Sequence, residues 1–205
     1  MSFQTYAAFF VASLLIELTP GPNMAYLAVL SASRGRRAGY IATLGTGLGL
    51  AIVGLAAALG LAAVIANSHF LYEALRWAGV GYLLWLAWEG WQHEADFSPQ
   101  RSAGDDSTYF RRGLITNLLN PKAAVFFVAV LPTFVDASAA VLKQTLVLSM
   151  TYVVVATLIH AGIATLAGIA QRFLLTNPRL RTLLRRGLAS ALAGIAIWFA
   201  ISTAR

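Results

Sequence analysis

Cysteine is missing from all 205 residues. That excludes a thiol–disulfide relay and any thiolate metal site. The three histidines, His69, His93 and His160, show no paired ligand spacing, so no metal and no other cofactor is expected. Gly-x-Ser-x-Gly, a phosphate-binding loop and His-Glu-x-x-His are all absent. The chain is therefore read as a non-enzyme without an ATPase of its own, and any active transport must draw on an ion gradient or a partner. The N-terminus Met1-Ser2-Phe3-Gln4 lacks the basic region of a signal peptide, so the first apolar segment is expected to stay as a span. Charge is scarce too: 11% of residues are charged, against roughly 25% in an ordinary globular domain.

What is present is apolar surface. Hydrophobic residues make up 59% of the chain and the mean hydropathy is +0.71, which points to a polytopic protein solvated by membrane lipid. The net charge of +7 would suggest nucleic acid in a soluble chain. Here the basic residues sit in short loops between apolar runs, as topology signals do, and no nucleic-acid partner is expected. Counting about 20 apolar residues per span gives six spans: 3–33, 39–66, 74–91, 113–135, 144–170 and 183–203. The polar stretch 93–110 reads as a cytoplasmic linker between a first three-helix unit, 1–92, and a second, 111–205.

Eleven of the fifteen basic residues fall on one face, in the clusters Arg34/Arg36/Arg37, Arg101/Arg111/Arg112 and Arg172/Arg179/Arg181/Arg185/Arg186. By the positive-inside rule that face is cytoplasmic and both termini lie outside. With three spans per unit, the second unit enters the membrane from the side opposite the first. The expected fold is an all-α integral membrane protein of six transmembrane helices, arranged as two inverted three-helix repeats, with spans one and four broken at proline motifs.

Those breaks are Glu17-Leu18-Thr19-Pro20-Gly21-Pro22-Asn23 and Asn120-Pro121-Lys122. Proline and glycine interrupt backbone hydrogen bonding, so in lipid such a stretch must be buried in protein or line a wet cavity. At 1.5 Å per residue, Glu17 lies roughly 21 Å along the helix from Phe3, and Lys122 roughly 15 Å from Arg112. Both depths are near the middle of a core about 30 Å thick. Thr19-Pro20 and Asn120-Pro121 each have the form of a capping residue followed by proline at the first helical position, and Gly21-Pro22 is a second candidate start in the first break. Half-helices starting there point free N–H groups and a positive dipole end into the membrane centre, which suits a substrate carboxylate. A pair of plain proline kinks is the alternative.

Lys122 at mid-span costs roughly 2.5 to 3.5 kcal/mol without a partner. It is read either as the partner of a substrate carboxylate or as half of an ion pair with Glu17. Glu17 can take a substrate ammonium or carry the coupling proton. Asn23 can hydrogen-bond in the cavity, and Asn117 is placed on the helical face of Asn120. His160, alone in span five, is a hydrogen-bonded packing residue or a proton relay. Asp136 reads as interfacial, and Glu73 and Arg76 as a surface pair. Gly45 and Gly49 form a small-xxx-small stripe, expected to serve packing within the chain, with a homodimer seam as the alternative. The aromatic residues crowding span three, among them Trp77, Trp85 and Trp88, suit an interfacial belt, lipid or cavity walls.

Taken together, Thr19-Pro20-Gly21-Pro22-Asn23-Met24, Arg34-Gly35-Arg36-Arg37-Ala38-Gly39, Gly79-Val80-Gly81-Tyr82-Leu83, Phe110-Arg111-Arg112-Gly113-Leu114, Asn117-Leu118-Leu119-Asn120-Pro121-Lys122-Ala123 and Leu131-Pro132-Thr133-Phe134 resemble the lysine exporter (LysE/RhtB) superfamily. The resemblance covers nearly the whole chain. It implies a secondary exporter of amino acids or their derivatives, working by proton-coupled antiport in the bacterial cytoplasmic (inner) membrane. The family motif positions are Pro20, Gly21, Pro22, Asn23, Asn120, Pro121 and Lys122; the role of Glu17 rests on the physical argument alone. Two other readings compete, a non-transporting membrane scaffold and a cation exporter of related fold. The latter needs more carboxylates or histidines within the spans than the chain offers.

Overall fold

The structure is a computed structural model and describes residues 1–19, 21–60, 68–92, 105–136, 138–174 and 178–202. Pro20, most of the linker and the side chains of Pro121, Arg76, Arg172, Arg179, Arg181 and Arg185 lie outside what is described, so the expected Glu73–Arg76 pair does too. Every element in the described residues is helical: α1 (Phe3–Leu18), α2 (Pro22–Arg34), α3 (Arg36–Ala58), α4 (His69–Gln92), α5 (Asp106–Leu118), α6 (Pro121–Val125), α7 (Val141–Leu174) and α8 (Pro178–Ser202).

The first break behaves differently from the order of candidates read in the sequence. Thr19 does not start a helix; it ends α1. Its N–H bonds the Ile16 carbonyl, and its hydroxyl donates to the Leu15 carbonyl at 3.1 Å. Gly21 is the residue before α2, with Pro22 in the first turn. A hydroxyl that folds back on its own helix is no longer free to cap the next. The second break matches its reading, because Asn120 precedes α6 and its side chain accepts from the Lys122 N–H at 3.1 Å. α6 then continues as a π-helical turn (Phe126–Val130), in which the Leu131 N–H reaches the Phe126 carbonyl, and a 3-10 turn (Leu131–Phe134). Pro132 explains the irregularity, since a proline cannot donate and forces the preceding ladder to re-register. The two pairs bend by similar angles, 56° between α1 and α2 and 50° between α5 and the helix of 122–134.

Close approach is built on glycine. A Cβ at Gly45 would lie 2.1 Å from the Phe110 carbonyl oxygen, and one at Gly113 2.1 Å from that of Ala42, so α3 and α5 run backbone against backbone. Gly49 continues the stripe against Asn117. The Gly45/Gly49 face is thus buried inside the chain and does not form a homodimer seam. Two apolar cores result: Leu27, Leu83 and Leu192 gather α2, α4 and α8, and Phe9, Leu50, Phe126 and Tyr152 gather α1, α3, the π-helical turn and α7.

α3 and α7 are each long and apolar enough to cross a bilayer, and each bent pair qualifies as one further span. α4 and α8 carry shorter apolar stretches, Trp77–Trp88 and Ala189–Trp198. Only 33% of the apolar window of α7 is buried within the protein. Leu158 and Leu166 on its outer face, like Leu15 and Ile201 elsewhere, are exposed. An apolar surface of that extent requires lipid, and the chain is a multi-pass membrane protein. Trp77, Trp85, Trp88 and Trp91 all point outward. Arg112 stacks over Trp85 at 5.4 Å and Arg186 over Trp91 at 5.7 Å, so these rings line the outside of the bundle and no internal cavity.

Candidate functional site

The two breaks meet. Lys122, in the first turn of α6, extends its side chain across Gly21 and donates from Nζ to the Thr19 carbonyl at 2.8 Å. A Cβ on Gly21 would fall 3.3 Å from Lys122 Cδ and 3.7 Å from Nζ, so the glycine gives the amine its path. Thr19 ends α1, and a cation on the last carbonyls of a helix is favoured by the dipole. The ion pair weighed between Lys122 and Glu17 is not formed. The amine is held by Thr19, while Glu17 turns to α7.

Glu17 is buried. Oε1 accepts a short hydrogen bond from the Tyr152 hydroxyl, and Oε2 lies 3.3 Å from His160 Nε2. His160 is therefore not alone: it faces the carboxylate through Nε2 while its Nδ1, also buried, has no hydrogen-bond partner among the described residues. Tyr152 and His160 stand eight residues apart on α7, two turns along one face. The Tyr152 ring stacks on Phe126 with centroids 3.7 Å apart and 14° between planes, and meets Phe127 edge-on at 5.4 Å. One side chain thus ties the acid of the first break to the π-helical turn after the second.

Asn23 and Asn117 make the other junction. Asn23 Nδ2 donates to Asn117 Oδ1 at 2.7 Å, 94 positions away in the chain. Asn117 sits near the end of α5, before the break, and its side chain does not join Asn120. Asn120 faces forward to cap α6. Of the residues expected to act together, Thr19, Gly21 and Lys122 meet at the first junction, where Asn120 caps the Lys122 N–H; Asn23 meets Asn117 at the other, and Glu17 pairs with His160 of α7.

Tyr152 and Asn117 are the participants that sequence reasoning left out of the site. For Tyr152 a signal existed, a hydroxyl two turns from a mid-span histidine. For Asn117 it was the family motif itself, read toward the wrong neighbour. Asp136 stays outside: it is exposed, and hydrogen bonds from the Ser138 hydroxyl and N–H hold its carboxyl below the usual range. Its backbone is bridged on both sides by Gln144.

Known proteins resemble this chain over most of its length. A homoserine/homoserine lactone efflux protein of Salmonella typhi is 35% identical over 171 residues, 82% of each chain. A leucine efflux protein of Enterobacter sp. (strain 638) is 33% identical over 142 residues, 68% of this chain and 66% of its own. An uncharacterized membrane protein of Vibrio cholerae serotype O1 is 26% identical over the whole of both chains. No solved structure matches. Residues 14–203 match the family model for the LysE type translocator, and with that span covered the chain belongs to the LysE type translocator family.

Proposed function

We propose that this protein is a secondary active exporter of amino acids or their derivatives, exchanging substrate for protons by alternating access in the bacterial inner membrane. The observation that carries the reading is the junction of the two breaks, where Lys122 of one reaches the end of α1 in the other. Interrupted helices at membrane depth are tolerated where they are buried in protein or line a cavity, and transporters place substrate and ion sites there. The efflux activities named for the Salmonella and Enterobacter relatives supply the substrate class.

Six spans in two inverted repeats fit the bends of 56° and 50° at corresponding places in each half. They fit the pairing of α3 with α7 and of α4 with α8 as well, because a two-fold axis in the membrane plane maps each of those pairs onto itself. Arg37 bonds Asp106 at 2.7 Å, which sets the starts of α3 and α5 side by side and favours one basic, cytoplasmic face with both termini outside. Substrate contacts are assigned to Thr19, Pro20, Gly21, Pro22, Asn23, Asn120, Pro121 and Lys122, and proton coupling to Glu17 and His160. In this scheme protonation of the Glu17 pocket weakens its hold on α7 and lets the broken helices move together. A linked shift of that kind is what antiport requires.

The test is counterflow of an amino-acid panel in proteoliposomes under an imposed pH gradient. Uptake that collapses when the gradient is dissipated, and that Lys122→Ala abolishes while the protein still inserts and remains monodisperse, supports the assignment. Undiminished exchange by Lys122→Ala would sink the role given to that lysine.

A further inference from the structure

The Asn23–Asn117 junction holds two orphans. Both side chains are buried, at 5% and 0% exposure. After their single mutual bond, Asn23 Oδ1 and Asn117 Nδ2 have no partner among the described residues. Exchanging the oxygen and nitrogen of both amides changes which residue carries which atom and nothing else. One amide–amide hydrogen bond always leaves one carbonyl oxygen and one whole NH2 group without a partner. An unmade hydrogen bond in a buried site is costly, and buried polar groups in native proteins nearly always find partners. Two unmet groups of opposite character, side by side, describe a ligand that presents an acceptor and a donor at matching separation.

The surroundings choose the sign of each end. Asn23 lies in the first turn of α2, a helix of 13 residues whose start no side chain of the described residues caps; with both amides exchanged, the leftover NH2 sits on Asn23 and adds to the positive end of that dipole in favouring an anion. α6 is different, since its first turn is capped by Asn120. Asn117 is held in place by Gly49, where a Cβ would lie 2.9 Å from both Asn117 Cβ and Nδ2.

We propose that the Asn23–Asn117 amide pair is the element that recognises the α-carboxylate and α-ammonium of a zwitterionic amino acid. The leftover N–H donates to the carboxylate and the leftover carbonyl accepts from the ammonium. This rests on the exporter reading and deepens it, because it makes a free carboxylate the preferred partner of this site and leaves the side chain unread. A lactone or amide keeps the ammonium contact and offers the N–H a neutral carbonyl in place of a carboxylate, losing the charge assistance.

Asn117→Asp is nearly isosteric and replaces the spare donor by an acceptor whichever way the amides are assigned. In proteoliposomes it should raise the half-saturating concentration of leucine or homoserine by about 10- to 100-fold, the value of a charge-assisted hydrogen bond, and that of leucinamide or homoserine lactone by less than about twofold. Asn23→Asp should behave alike. Competition on the unaltered protein adds a measurement independent of any variant's folding: neither isopentylamine nor 4-methylpentanoate, each carrying one of the two charges, should displace leucine at concentrations where leucinamide competes weakly and norvaline strongly. Equal losses for acid and lactone, no loss for either, or full competition by a single-charge analogue would each overturn the clamp and leave amino-acid export standing. Exchange of no amino acid at all by the unaltered protein removes the exporter reading, and the clamp with it.

Discussion

Replacing Tyr152 by Phe removes one oxygen and preserves the ring. The stack on Phe126 at 3.7 Å and the edge contact with Phe127 at 5.4 Å remain, so the core around α7 keeps its packing. What disappears is the hydroxyl that donates to Glu17 Oε1, leaving that buried carboxylate with His160 alone. A hydrogen bond to a charged group contributes about 1.5–3 kcal/mol, which corresponds to roughly one to two orders of magnitude in the equilibrium that holds Glu17 against α7. Proton-driven exchange in proteoliposomes should fall by a comparable factor if release and recapture of Glu17 belong to the cycle. The assay is a double-mutant cycle on initial exchange rates, with Tyr152→Phe, Glu17→Gln and the pair. Tyr152 acts through Glu17, so Tyr152→Phe should do nothing further in the Glu17→Gln background. Losses that multiply, or normal exchange by Tyr152→Phe, would refute the link between hydroxyl and carboxylate.

Other consequences follow from the helix contacts. Gly45→Ala drives a methyl to 2.1 Å from the Phe110 carbonyl, and overpacking against backbone should cost at least about 1–3 kcal/mol, read as a lowered melting temperature in detergent. Gly81→Ala, with no atom of the described residues within 4 Å, should leave stability unchanged or raise it by up to about 1 kcal/mol. Asn120→Ala removes the cap on the Lys122 N–H and should destabilise by about 1 kcal/mol, whereas Asn120→Asp keeps the acceptor and should retain most of the melting temperature. Arg37 bonds Asp106 at 2.7 Å but its side chain is 83% exposed, so Arg37→Ala should change stability by less than about 1 kcal/mol, and high salt should erase even that.

The parts of this protein legible in its sequence are those that depend on a few consecutive residues. Apolar length marks α3 and α7 as membrane helices, and proline with glycine marks the two interruptions. Asn120-Pro121 announces its own helix start, because cap and first turn are neighbours in the chain. Even locally one reading failed at Thr19, where the hydroxyl had a choice between the carbonyl behind it and the N–H groups ahead, and took the former.

What only the tertiary structure decided is rotation and partner choice. Lys122 with Thr19, Glu17 with Tyr152 and His160, and Asn23 with Asn117 join residues 94 or more positions apart. In a water-soluble helix the polar face betrays which side points inward. In lipid, core and surroundings are both apolar, so leucines such as Leu148, fully buried, and Leu158, exposed, look alike in the sequence of α7. The choice between them falls to packing: glycine faces at Gly45, Gly49 and Gly113 let α3 and α5 close on each other, and that contact sets Asn117 within reach of Asn23. The sequence by itself determined that two polar interruptions exist within apolar runs. The approach of the helices, set by van der Waals contact at those glycines, decided that the interruptions form one junction and that Lys122 and Glu17 hold different partners within it.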